Sequence, residues 1–236
     1  MKIHFSPSKI ASALACGLFA AASAHADIVP TTGLPNTIDL QYSTGTFGGY
    51  KTFTGHNGGA SISVLAGSLL FNTRAPGTTA PLGSFAAYCV ELSQHALSSW
   101  NTYSLSSFTP NVATSLAHLY QVAGGSPTTK DNSAAFQAAV WEITHETAPG
   151  AYSLDNGSFN GTFITKAITT QANTWLATVN DFSGPELYKA QKFVSSVAQD
   201  QLVITAVPEP ESYALFLAGL GLMGTIARRR NKRNTD

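Results

Sequence analysis

Cysteine and charge are both scarce in this 236-residue chain. It holds two cysteines, Cys16 and Cys89, too few for the disulfide framework that staples many small exported domains. Charged residues make up 11% of the chain, and no basic stripe exists to bind nucleic acid. There is no internal repeat, low-complexity tract or heptad pattern, which sets aside solenoid and coiled-coil architectures. The histidines are scattered. "HETAPG", from His145, begins like a zinc-protease helix but has Pro149 where the second histidine would stand, so no metal site and no cofactor is expected.

The two ends of the chain are more specific. Lys2 and Lys9 lead into the apolar run "IASALACGLFAAASA", which closes on "AHA" before Asp27. A basic segment, a short apolar segment and small residues at a cleavage position make residues 1–26 a signal peptide, and Cys16 leaves with it; the alternative, a lipoprotein site at "ALAC" with Cys16 lipidated, has only a very short apolar run ahead of the cysteine. The mature chain therefore keeps one thiol, Cys89. At the other end, residues 207–236 comprise Pro208, Glu209 and Pro210, the apolar stretch "SYALFLAGLGLMGTIA" over 212–227, and a basic tail over 228–236. A helix of that length, at about 1.5 Å per residue, falls short of the roughly 30 Å hydrocarbon core and suits a transient transmembrane anchor held by its basic end.

Proline-flanked tripeptide, short apolar helix and arginine cluster together resemble the PEP-CTERM sorting signal of exported proteins in Gram-negative bacteria that make exopolysaccharide. That resemblance implies an exosortase-type processing protease as a partner, with Pro208, Glu209 and Pro210 as its recognition site. It also implies transfer to the cell surface or extracellular matrix.

Residues 27–206 are long enough for one domain with a core. They carry six lysine or arginine side chains against ten carboxylates, so the even balance of the whole chain hides an acidic ectodomain. From Thr37 to Phe108 the pattern is strand-like: "TIDLQYS", "YKTFTG", "ASISVLAGSLLFNT" as one bent strand or two, "SFAAYCVEL" and "NTYSLSSF", divided by glycine-rich turns. Helical spacing follows in "NVATSLAHLYQVA", which stops at Gly124 and Gly125. It continues in "DNSAAFQAAVWEITHETAPG", with Asp131, Asn132 or Ser133 as N-cap and Pro149 as terminator. Residues 150–163 read as a long loop, "TTQANTWLATVN" as a third helix, "ELYKAQKFVSSVA" as a fourth, and "DQLVITAV" as a closing strand. The expected fold is α+β: a β-sandwich or barrel, then a small helical layer, then a C-terminal strand.

Two local sequences stand apart from this background. "AAYCVELSQ" puts Cys89 on a strand, and "AAFQAAVWEI" puts Gln137 on an otherwise apolar helix face, where a buried carboxamide needs its hydrogen bonds met. An aromatic-Cys pair followed about fifty residues later by Gln and a small-apolar-Trp run resembles the thioester domain of bacterial surface adhesins. The resemblance implies that Cys89 and Gln137 condense with loss of ammonia. The resulting activated acyl group would react with an amine on a surface or matrix polymer or protein. It also implies apolar shielding by Tyr88, Phe136 and Trp141, and an acid or base drawn from Glu91, His95 and His145.

Two other classes compete. A cysteine hydrolase would pair Cys89 with His56, His95, His118 or His145, but no protease signature surrounds the cysteine. A non-covalent structural or polysaccharide-binding matrix protein would leave Cys89 as a buried thiol.

Overall fold

The computed structural model describes residues 34–46, 49–147, 151–207 and Met223. The signal peptide, the Pro208–Pro210 motif, Pro149 and the expected C-terminal helix therefore lie outside the described residues, apart from Met223. Among the described residues no helix is long and apolar enough to cross a membrane.

Six strands close a barrel. They are β1 (Thr37–Gly45), β4 (Leu69–Arg74), β5 (Pro81–Cys89), β9 (Gln201–Ala206), β8 (Tyr188–Val194) and β6 (Asn101–Ser107), each antiparallel to its neighbours in that order. Alternation explains the strands: in β4 the buried Leu69, Phe71 and Thr73 alternate with half-buried neighbours. Phe71, Phe85 and Phe193 meet ring to ring from three strands at 6.1 and 6.4 Å.

A second sheet has the order β3-β2-β7, from β3 (Ala60–Ala66), β2 (Lys51–Asn57) and β7 (Phe159–Phe163). "ASISVLAGSLLFNT" is thus two strands in two different sheets. Gly67 between them sits at φ +152°, where a side chain is rarely accommodated.

Three helices pack among these sheets: α1 (Pro110–Val122), α2 (Lys130–His145) and α3 (Lys166–Asn180). In α2 every residue from Ser133 to Ile143 is buried, because it touches β5 on one side, β2, β3 and β7 on another, and α1 and α3 besides. A helix enclosed on all sides needs small residues for close approach, which Ala134, Ala135, Ala138 and Ala139 supply. Its expected core stripe, Phe136, Val140 and Ile143, is buried.

Three expectations change. The N-cap of α2 is Thr129, whose side chain accepts from the Asn132 N–H at 3.2 Å. Asp131, Asn132 and Ser133 fall in the first turn, where Ser133 Oγ is used instead to accept the Ser68 N–H at 2.8 Å. The expected loop over 150–163 ends in β7, which pairs with β2 from Phe53↔Phe163 to Asn57↔Phe159. The expected fourth helix is β8. "YKAQK" has helical propensity, but this segment is hydrogen-bonded to β6 on one edge and β9 on the other, and that pairing closes the barrel. Strands and helices are consequently less segregated than a strand-then-helix order implies.

The chain leading into β7 is held by two carboxylates, Glu142 in the last turn of α2 and Glu146 at its C-cap. Glu142 Oε1 accepts the Ser153 N–H at 2.8 Å; Glu146 accepts the Ser158 N–H at 3.1 Å and the Phe159 N–H at 3.3 Å. Burial pushes the Glu142 carboxyl up to about 8; the Ser153 bond opposes this and the neighbouring Glu146 adds to it. The native state then binds this proton more tightly than the unfolded chain. Its contribution to stability is complete below the ordinary carboxyl range and is lost as pH rises from there through about 8. The urea midpoint is expected to fall between pH 5 and pH 9, and Glu142→Gln to flatten that fall; an equally steep fall in the variant would contradict the assignment.

Candidate functional site

Cys89 is where it is because β5 outruns one neighbour. Pairing with β4 ends at Leu69↔Ala87, while pairing with β9 continues through Cys89↔Gln201 and the Val90 N–H to Asp200 carbonyl bond at 3.1 Å. On the β4 side the peptide groups of Cys89 have no strand beside them, and α2 fills the gap with a side chain. The Cys89 N–H donates to Gln137 Oε1 at 2.9 Å, and Gln137 Nε2 donates to the Cys89 carbonyl at 2.8 Å. Gln137 is wholly buried, and this two-point pairing explains how an amide is tolerated on an apolar helix. Behind it Tyr88 packs on Phe136 at 4.7 Å between ring centroids.

The expected pair is thus brought together, but through the backbone of Cys89. Its thiol faces a different carboxamide: Sγ donates to Gln199 Oε1 at 2.8 Å. Gln199 is itself tethered, donating from Nε2 to the Glu91 carbonyl and from its N–H to the His95 carbonyl, both at 3.1 Å. The sequence reading missed Gln199. The one available signal was its place just ahead of the closing strand, and that signal has meaning only once β9 is known to lie beside β5.

Burial pushes the Cys89 thiol well above the ordinary range, and the nearby Glu91 carboxylate adds to the effect. Cys89 is therefore a neutral thiol that needs a base before it can attack.

A cleft of about 360 Å³ reaches Cys89 and Gln199; Tyr42, Tyr50, Leu69, His95 and Trp141 help to line it. The two phenols are bonded to each other at 2.9 Å. Of the three expected shielding residues, Trp141 lines the cleft, while Tyr88 and Phe136 support it from the core. Of the acid/base candidates, Glu91 is committed, accepting the Asp200 N–H at 3.0 Å and the Ser93 hydroxyl at 2.9 Å. His145 stacks on Phe159 at 5.9 Å and interacts with the Val90 backbone, and burial lowers its pKa. His95 is exposed and lines the cleft. His56 lies on β2 and His118 packs on Phe182 at 4.1 Å, and neither lines the cleft at Cys89. Among the described residues no three His, Cys, Asp or Glu side chains are grouped to hold a metal ion.

No curated protein matches the chain. Among solved structures, the N-terminal domain of the Streptococcus pyogenes pilus tip adhesin Cpa is similar over 71% of this chain and 99% of that one, at 14% identity and a TM-score of 0.38. At the C-terminus, residues 206–231 match the PEP-CTERM protein-sorting motif, a signal recognised by exosortase processing, which marks the chain as exported toward the cell surface.

Proposed function

We propose that the exported domain captures an amine covalently through a thioester at Cys89, and that Gln199 supplies the acyl group. The observation that carries this is the 2.8 Å contact between Cys89 Sγ and Gln199 Oε1, which sets a nucleophile against an amide carbonyl held from two other points.

A base takes the thiol proton; sulfur attacks Gln199 Cδ; the Cδ–Nε2 bond breaks and nitrogen leaves as ammonia after receiving a proton. An incoming amine then attacks the same carbonyl, the C–S bond breaks, sulfur regains a proton, and an amide joins the partner to Gln199. His95 suits the proton transfers by its place on the cleft wall. Gln137 is not consumed: it clamps the Cys89 backbone. The partner would be a surface or matrix polymer or protein bearing amines, reached after the C-terminal segment has been processed.

A second reading makes Gln137 the acyl donor, as the family resemblance implies, and the 2.9 and 2.8 Å contacts favour it by holding that carboxamide against Cys89. Against it, loss of Nε2 would strip a buried carbonyl of its partner. Exposure to methylamine followed by peptide mapping separates the two. Addition at Gln199, abolished by Cys89→Ala, is expected; addition at Gln137 would support the second reading. No addition at either would leave a non-covalent matrix protein with a buried thiol.

A further inference from the structure

The cleft beside Cys89 has a wall of unusual construction. Ser63, Val64 and Leu65 are consecutive residues of β3 and all three line it. Side chains of a strand alternate between the two faces of its sheet, so three in a row border one cleft only where the strand presents its edge. β3 is that edge: over all seven residues it pairs with β2, and its other side has no backbone partner among the described residues. The opposite edge, β7, is shorter and has α3 packed beside it.

We infer that β3 is a docking edge for an extended polypeptide of a partner protein, which adds as a further strand and delivers a lysine side chain into the Cys89 cleft. Unpaired N–H and C=O groups along an exposed strand match the backbone of another strand, a complementarity that a polysaccharide lacks. Leu65, 61% exposed, offers an apolar contact at that edge. Charge fits as well: the ectodomain's excess of carboxylates favours approach of a cationic segment. The cleft itself is lined by no Lys, Arg, Asp or Glu. An ammonium entering it would lose hydration without gaining a counter-ion, which favours the neutral amine that attacks a carbonyl.

The covalent step rests on the thioester reading above, so the test has an arm for each. The probes are methylamine, a seven-residue peptide of alternating threonine and valine with a central lysine, and the same peptide N-methylated along one edge. The unmodified peptide is expected to add about tenfold faster than methylamine at equal amine concentration, the equivalent of one or two net backbone hydrogen bonds. N-methylation is expected to remove that advantage. On Cys89→Ala protein, the unmodified peptide should shift the backbone NMR signals of Ala60–Ala66. Equal rates for the two peptides, or shifts elsewhere with none on β3, would overturn the docking edge. A dimer of unreacted protein paired β3 to β3 would assign the edge to a second copy and overturn it too. If methylamine itself fails to add, the thioester reading fails, and the Cys89→Ala titration alone decides the docking edge.

Discussion

His95→Ala is expected to slow methylamine capture by about 10²–10⁴-fold, the range for loss of a positioned acid/base group, with the fold unchanged. The thiol is buried and neutral, so bond formation requires a group that removes its proton and later returns one. Glu91 has both carboxylate oxygens engaged, by Asp200 and by Ser93, and His145 lies outside the cleft with its ring on Phe159. His95 is left, exposed on the cleft wall; its carbonyl holds Gln199 through the backbone, which alanine preserves. Added imidazole should restore part of the lost rate. A variant that reacts within about threefold of wild type would remove His95 from the mechanism, since that is far below the acid/base range.

Gln137→Ala is expected to cost stability as well as reactivity. It would leave the Cys89 N–H and carbonyl buried without partners, at about 1–3 kcal/mol for each orphaned group, and open a small cavity in the middle of α2. The sum is at least about 3 kcal/mol, or roughly 10 °C in Tm for a domain of this size. Because the clamp also fixes the residue that carries the thiol, the surviving folded protein should form less thioester. Thermal unfolding followed by circular dichroism checks the first part. A Tm change under about 2 °C would mean that water or a neighbour replaces the carboxamide, and that the clamp has little energetic weight.

The role of Gln137 was half legible in the sequence. A lone carboxamide among Ala135, Phe136, Ala138, Ala139, Val140 and Trp141 had to have a buried partner, and Cys89 was the right residue to suspect. Which atoms meet was not legible, because that depends on β4 ending its pairing two residues before Cys89. Gln199 was hidden for a related reason. In "AQDQLVITAV" it is one polar residue among several, and nothing local announces that β9 runs beside β5.

The elements follow the same division. Where alternation or helical spacing was strong, as in β1, β6, α1 and α2, local preference and tertiary packing agree. β7 and β8 are set by their neighbours: "FNGTF" carries turn residues, yet Gly161 lies opposite Gly55, and a Cβ on Gly161 would collide with the Phe53 ring. β8 carries helix formers but has strands on both edges. Thr129 caps α2 because the chain is still extended there, at φ −122° and ψ 155°.

The most direct test of the Cys89 thioester is the intact mass of the secreted domain, isolated without added amines. Wild-type protein is expected one ammonia lighter than its sequence. Cys89→Ala and Gln199→Ala should each restore the mass of their own sequences, and Gln137→Ala should keep part of the deficit. A wild-type mass equal to the sequence, with Cys89 open to alkylation on unfolding, would contradict the thioester.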